Sequence, residues 1–333
     1  MKKQLLNSLN GMGLGLLATL VVGTILAQLG TALHLPWLTS IGNIAKVFMA
    51  GGIGIGVAHA FHAHPYVMFV SIVCASVGAG AITLTESGFI LGIGEPAGAY
   101  VAALVCVLIG NAVTGKTMLD LLLVPATCLV SGCLSGLFIS PFVSSVTKLI
   151  GSWINEATLL EPFLMGALIA VMMSLVILSP ISSAALAASL GLSGLAAGAA
   201  VAGCSASMIG FAVASYRENK LGGLMTQGLG TSKVQFVNAV KNPYVMIPPT
   251  ISACCVGILS TTVFEMQCNA LGAGMGSSGL VGQLQTLVVM GSSGLVGVLL
   301  LHFILPAVIS FVCTQCLRQK EIIKVGDLTL QAL

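Results

Sequence analysis

Long apolar runs dominate the chain, and few charged residues interrupt them. Uncharged stretches occupy 11–30, 65–85, 121–141, 162–180 and 244–264. Each approaches or reaches the ~20 residues that an α-helix needs to cross the hydrocarbon core of a bilayer. The runs do not alternate polar and apolar residues, as the strands of a membrane barrel would. The pattern predicts an all-α polytopic membrane protein.

The apolar pattern is also repeated. HPYVM at 64–68 returns as NPYVM at 242–246, and VPA at 124–126 returns as LPA at 305–307. The offset grows only from 178 (65 to 243) to 181 (126 to 307). A nearly constant offset over this length indicates that one unit has been duplicated.

Together these patterns predict about ten transmembrane helices, five in each repeat. Because five is odd, the second repeat would be inverted relative to the first, an arrangement that many transporters use. The predicted spans are 11–33, 47–63, 65–85, 97–113, 119–140, 162–180, 189–215, 243–264, 274–290 and 295–316. The predicted domains are a first transmembrane repeat (1–141), an interfacial connector (142–161), a second repeat (162–316) and a cytoplasmic tail (317–333).

Composition supports the membrane assignment and adds an orientation. Hydrophobic residues make up 57% of the chain and charged residues 6%, and the mean hydropathy is +1.08, which excludes a water-soluble globule. The net charge is +3, with cations at both ends of the chain. The positive-inside bias then predicts that both termini are cytoplasmic, in agreement with an even number of crossings. These terminal cations are Lys2, Lys3, Arg318, Lys320 and Lys324.

One basic segment conflicts with this topology. Arg217, Lys220, Lys233 and Lys241 would lie outside under strict counting. Either the count near 181–242 is off by one, or these cations line a water-filled cavity; the sequence leaves both alternatives open.

Cysteine and glycine usage suggests packing roles, with one alternative. The ten cysteines lie mostly inside apolar runs, which favours packing over a disulfide framework. The motif G-x-S-G-L begins at Gly191, Gly276 and Gly291. Such glycines either let helices approach closely or break a helix at membrane depth and free backbone groups for a ligand.

The candidate site combines a carboxylate with polar residues of the second repeat. Glu95 lies between Gly94 and Pro96 at the start of a predicted span, and a carboxylate at membrane depth usually marks a pathway or a site. GIGEPAGAYVAAL (92–104) corresponds to GAGMGSSGLVGQL (272–284), so both segments would reach one ligand where the repeats meet. The alternative is that the glutamates end helices in the headgroup region. The predicted solute-binding residues are Glu86, Gly94, Glu95, Gly276, Ser277, Ser278 and Gln283.

Two other motifs carry weaker signals. Residues 110–117, GNAVTGKT, match the phosphate-binding pattern G-x-x-x-x-G-K-[ST], but no soluble α/β domain fits between the spans. His59, His62 and His64 have ligand-like spacing without a carboxylate or thiolate nearby, so a turn is expected there. We predict no metal, no cofactor, no catalytic residues and no nucleic-acid partner.

Several longer phrases resemble a known family. They are EPFLMG (161–166), the run 179–232, KNPYVMIPPT (241–250) and GAGMGSSGLVGQ (272–283), and they are similar to the enzyme IIC-like membrane family of the bacterial phosphotransferase system, in the branch with the perfringolysin regulator. The resemblance implies a multi-pass protein of the bacterial cytoplasmic membrane, a homodimer and a sugar-like solute. Glu95-Pro96 also resembles the G-x-x-E-P element in which sugar-carrying enzymes IIC place a substrate-binding glutamate.

The resemblance has one departure. A complete phosphotransferase needs domains with a phosphorylatable Cys or His, and none is expected in the short tail after Cys316. The prediction is therefore a non-enzymatic transporter of a small polar solute, with separate cytoplasmic phosphocarrier proteins as possible partners. The alternative is a membrane regulator that senses a solute.

Overall fold

The computed structural model describes residues 2–85, 88–117 and 119–330. These residues form two compact units that divide between Val146 and Thr147. The division lies inside one continuous helix, Asp120–Ala157, so most of the connector predicted at 142–161 is helical.

The first unit is helical apart from one hairpin. A π-helical turn, Leu17–Val21, joins its first two helices into one run. The elements are α1 (Lys2–Leu16), α2 (Val22–Ala32), α3 (Pro36–Val47), α4 (Met49–Ala60), α5 (Pro65–Gly78), β1 (Ile82–Thr85), β2 (Gly88–Leu91), α6 (Pro96–Val113) and α7 (Asp120–Ala157).

Glycines bring the helices of this unit into close contact. A Cβ atom on Gly11 would collide with the carbonyl oxygen of Gly56, and one on Gly15 would collide with that of Gly52, so α1 and α4 cross with touching backbones. Small residues permit this approach in lipid, where packing replaces the hydrophobic effect. Helices α3 and α4 meet at an angle of 52°. The span predicted over 47–63 is therefore the second arm of a bent pair.

The predicted helix over 65–85 is wrong beyond Gly78. Gly80 adopts φ 62°, and the amide of Ala81 donates to the carbonyl of Ser76 at 3.1 Å. A left-handed glycine, followed by a residue whose amide bonds back to the last turn of the helix, is the Schellman motif that ends many helices. The chain then forms an antiparallel hairpin in which Ile82 pairs with Leu91.

The second unit contains more irregular helix. Its α-helices are α8 (Pro162–Leu178), α9 (Ser183–Ser189), α10 (Gly194–Ala214), α11 (Tyr216–Met225), α12 (Phe236–Lys241), α13 (Ile247–Thr262), α14 (Ala270–Ala273), α15 (Val281–Met290), α16 (Gly294–Leu299) and α17 (Leu305–Gln319). Short π-helical and 3₁₀ turns occur at Thr226–Gly230, Ser232–Gln235, Pro243–Met246, Ser278–Leu280, Gly291–Ser293 and Leu300–Ile304.

Helix α10 is the centre of this unit. Every residue from 197 to 208 is buried, and α10 packs against α8, α13 and α17. Close approaches again use glycine: Gly203 lies against the backbone of Ala170, and Gly257 lies against that of Gly166. A helix that is apolar and small on all sides can be surrounded in this way.

Within the described residues, six helical runs are long and apolar enough to cross a membrane, or seven if the bent α3–α4 pair is one span. Two shorter apolar helices, α5 and α8, accompany them. The number of these runs is smaller than the ten predicted spans. Part of the difference arises because the spans predicted at 274–290 and 295–316 lie in one helical run, Ser278–Gln319.

Candidate functional site

The glycine-rich segment before α15 has an irregular backbone. Gly276, Gly279 and Leu280 have φ values of 54°, 53° and 60°. Glycine adopts such angles freely, whereas leucine does so at a cost. Gly191, Gly194 and Gly291 also have positive φ, so all three G-x-S-G-L motifs coincide with helix breaks.

Two of the predicted residues lie against α10. A Cβ atom on Gly276 would be 2.7 Å from the carbonyl carbon of Cys204, so only glycine fits there without a shift. Ser277 is fully buried, and its hydroxyl donates to the carbonyl of Gly228 at 2.6 Å. The segment is thereby held between α10 and the π-helical turn Thr226–Gly230.

Gln283 reaches the same stretch of α10 from the first turn of α15. Its Nε2 atom donates to the Ser205 hydroxyl at 3.1 Å and lies 3.4 Å from Nδ1 of His302. All three residues are buried. The structure therefore gathers Gly276, Ser277 and Gln283 around residues 204–208 of α10; Ser278 is also buried, in the adjoining turn.

Two atoms of this polar cluster have no hydrogen-bond partner among the described residues. They are Oε1 of Gln283 and Nε2 of His302. With Nε2 of Gln283 donating to Nδ1 of His302, the histidine would carry its proton on Nε2. The cluster would then present one acceptor and one donor, and a hydroxyl group can satisfy both. Unpaired buried polar atoms are rare and call for an explanation such as a water or a ligand.

Ser205 and His302 are not among the residues predicted from the sequence. The available signal was an ionisable residue within an apolar run, VGVLLLHFILP, because such residues at membrane depth usually have a function. Ser205 gave no signal, since serine is common in small-residue helices.

The predicted residues of the first unit surround the start of α6. Gly94 has φ 72°, and the amide of Glu95 donates to the carbonyl of Ala79 at 2.8 Å. Glu95 is half-buried and immediately precedes Pro96, the first residue of α6. Glu86 lies outside the described residues.

The four cations of the basic segment 217–241 lie in two kinds of environment. Lys233 is buried, and its ammonium group donates to the carbonyls of Ser179 and Ile181, each at 2.6 Å. Arg217, Lys220 and Lys241 are exposed. Lys233 therefore differs from the water-facing position expected for this basic segment, because backbone carbonyls replace water as its acceptors.

The phosphate-loop pattern forms the junction between two helices. A phosphate loop follows a strand, whereas residues 110–113 end α6. The amides of Gly115 and Thr117 and the Thr117 hydroxyl all donate to the carboxylate of Asp120. Within the described part of the chain, no group of three His, Cys, Asp or Glu residues is arranged to hold a metal ion.

These features define a multi-pass membrane protein whose second unit contains a buried polar cluster beside a broken helix. The family described as Phosphotransferase system, EIIC matches residues 6–330, so the chain belongs to this family and the resemblance found in the sequence is confirmed. No curated protein matches the chain. Members of this family are the membrane components of a system that generally serves sugar transport. Other domains of that system carry out phosphoryl transfer.

Proposed function

We propose that the chain transports a small polar solute, such as a sugar or a sugar derivative, and that the polar cluster around Gln283 contacts it. The observation that carries this proposal is the pair of buried atoms without partners, Oε1 of Gln283 and Nε2 of His302. A hydroxyl both donates and accepts hydrogen bonds, so it suits a neutral glutamine–histidine pair. Ser277 and Ser278 would support the same segment, and Glu95 is proposed as a further contact from its resemblance to the G-x-x-E-P element.

An inverted repeat of ten crossings in a homodimer remains our proposal for the architecture. Each unit supports a duplication in its own local structure. Nδ1 of His64 accepts from the amide of Tyr66 at 3.5 Å, and Oδ1 of Asn242 accepts from that of Tyr244 at 3.2 Å, so both PYVM copies begin with the same cap. We further propose a bacterial cytoplasmic membrane location and separate phosphocarrier proteins as partners.

Uptake by the purified chain in liposomes tests the transport proposal, with a panel of radiolabelled hexoses, disaccharides and hexitols as probes. Glu95→Gln keeps the shape of the side chain and removes its charge, so solute binding should weaken by about ten- to a hundredfold, as expected from losing charge-assisted hydrogen bonds. Gln283→Met should weaken binding by a similar factor because it removes the amide that faces Ser205 and His302.

Matched controls come from the exposed Glu161 and Gln315. Glu161→Gln and Gln315→Met should bind and transport like the parent. Parent-like binding by both site variants would refute the site. Binding by the parent without uptake would instead favour a solute-sensing regulator.

A further inference from the structure

The segment Ile322–Leu330, here called the strap, is held by side-chain amides from another part of the second unit. We call the four residues that hold it the amide face: Asn219, Gln235, Asn238 and Asn242. Most of their hydrogen bonds are to backbone atoms of the strap and not to its side chains. The arrangement is that of a peptide-binding site whose ligand is a segment of the same chain.

Paired hydrogen bonds fix the end of the strap. Nδ2 of Asn219 donates to the carbonyl of Leu328 at 2.8 Å, and Oδ1 of Asn219 accepts from the amide of Leu330 at 2.9 Å. Nε2 of Gln235 also donates to the carbonyl of Leu328, at 2.9 Å. One carbonyl thus receives two amide donors, which fixes the register of the strap.

Two further amides hold the rest of the strap. Nδ2 of Asn238 donates to the carbonyl of Thr329 at 3.0 Å. Nδ2 of Asn242 donates to the carbonyl of Ile322 at 3.2 Å and to the carboxylate of Asp327 at 2.8 Å. The amide face therefore holds the strap at both ends, at Ile322 and over 327–330.

Apolar contacts anchor the strap between these hydrogen bonds. Ile323 and Leu328 are buried, and they pack in one cluster with Phe211 and Val245. Val325 lies between them in sequence and is 65% exposed, whereas Leu328 is 0% exposed. The strap therefore has an inner and an outer side, as a docked peptide does.

Two hydrogen-bonded contacts, joined by the backbone between Gln227 and Gly228, connect the strap to the glycine-rich segment. Nε2 of Gln235, which donates to the strap, also donates to Oε1 of Gln227 at 2.9 Å. Gln227 lies in the π-helical turn Thr226–Gly230, next to Gly228, whose carbonyl accepts the hydroxyl of Ser277. Gln227 and Gln235 are both fully buried.

We infer that the amide face is an intramolecular peptide-binding site, and that docking of the strap in it positions the turn Thr226–Gly230 and, through that turn, Ser277. Because buried hydrogen-bond networks act as a unit, loosening one member affects the others. The strap residues are thus positioning residues for the broken helix. This inference does not depend on which solute is carried.

Hydrogen exchange of the full chain in lipid nanodiscs, followed by mass spectrometry, tests the inference. In the parent, peptides covering 322–330 should exchange at least about tenfold more slowly than unstructured peptides, because docking protects their backbone amides from solvent. Leu328→Asp places a charge in the apolar cluster and should abolish that protection. It should also raise exchange by about tenfold at 226–231 and 277–282, because the turn loses its anchor.

Val325→Asp is the matched control, because it adds the same charge three residues away on the exposed side. It should exchange like the parent. Leu330→Pro is a milder strap variant that removes the amide donated to Asn219 and restricts the backbone at 329–330, and Leu330→Ala, which keeps the amide, is its control.

Three results would overturn the inference. The first is rapid exchange of 322–330 in the parent, and the second is equal effects of the two aspartate variants. The third is release of the strap without any change at 226–231 and 277–282. If Leu328→Asp raises exchange throughout the chain, the same comparison of strap and turn peptides is decided with Leu330→Pro.

Discussion

A buried ion pair beside the strap gives a quantitative prediction. Nη2 of Arg318 lies 2.6 Å from Oε1 of Glu218, and the two side chains are 8% and 3% exposed. Arg318 also donates to the carbonyl of Ala214 at 3.2 Å. Arg318→Met would leave the Glu218 carboxylate buried without its counter-ion, with the amide of Gly326 at 3.4 Å as a weak donor.

Breaking a buried pair from one side typically destabilises a protein by about 3–5 kcal/mol. This pair makes one direct hydrogen bond instead of two, and Nε and Nη1 of Arg318 have no partner among the described residues. We therefore expect the lower end, about 3 kcal/mol, which is roughly a hundredfold change in the unfolding equilibrium. Unfolding by SDS titration from mild detergent micelles measures this change.

The double variant Arg318→Met with Glu218→Gln distinguishes loss of the pair from loss of packing. Removing both charges leaves no uncompensated carboxylate, so most of the lost stability should return. A single variant as stable as the parent would refute the assignment of a buried, energetically important pair. A double variant no more stable than Arg318→Met would show that packing of the guanidinium dominates.

Two other predictions concern close packing and topology. Gly257→Ala should destabilise the second unit by about 1–3 kcal/mol in the same SDS titration, because the new methyl meets the backbone of Gly166. Gly13→Ala, inside α1 with open space around it, should cause no loss of stability and a gain of at most about 1 kcal/mol. The proposed inverted repeat places the exposed residues Tyr66 and Tyr244 on opposite sides of the membrane, so cysteines introduced there in a cysteine-free background should react with impermeant reagents from opposite sides. Reaction from the same side would refute the inversion.

The length of the apolar runs was enough to predict helices that cross a membrane, but not the residues at which the helices end. The run 65–85 is uncharged and mostly apolar, and its break depends on Gly80 adopting a left-handed conformation that hydropathy does not register. The hairpin at 82–91 was also not predicted, since Ile82–Thr85 simply continue the uncharged run of the preceding helix. Glycine and its neighbours, more than hydropathy, determine these boundaries.

The buried polar cluster proposed as the site could be anticipated only in part from the sequence, because its signals differ in range. Gly276, Ser277 and Gln283 come from one short segment of sequence, and all three lie against α10. His302 joins them from a helix further along the chain, and only the packing of α10 against the turn Leu300–Ile304 brings it near. A pattern search over short segments cannot detect such a contact.

The two units differ in how they use polar residues, and this difference bears on where function lies. Among the described residues, the buried polar side chains of the first unit are Ser8, Thr24 and Ser71. Ser8 shares a hydrogen bond with the Tyr100 hydroxyl, but each of the three hydroxyls also donates to a nearby helix carbonyl. Such bonds satisfy the side chain locally and need no ligand. The second unit instead buries long amides and a histidine that bond between distant segments, and two of their atoms remain without partners. A polar core of this kind destabilises an apolar bundle unless something else satisfies it, so we expect solute-dependent changes to be largest in the second unit.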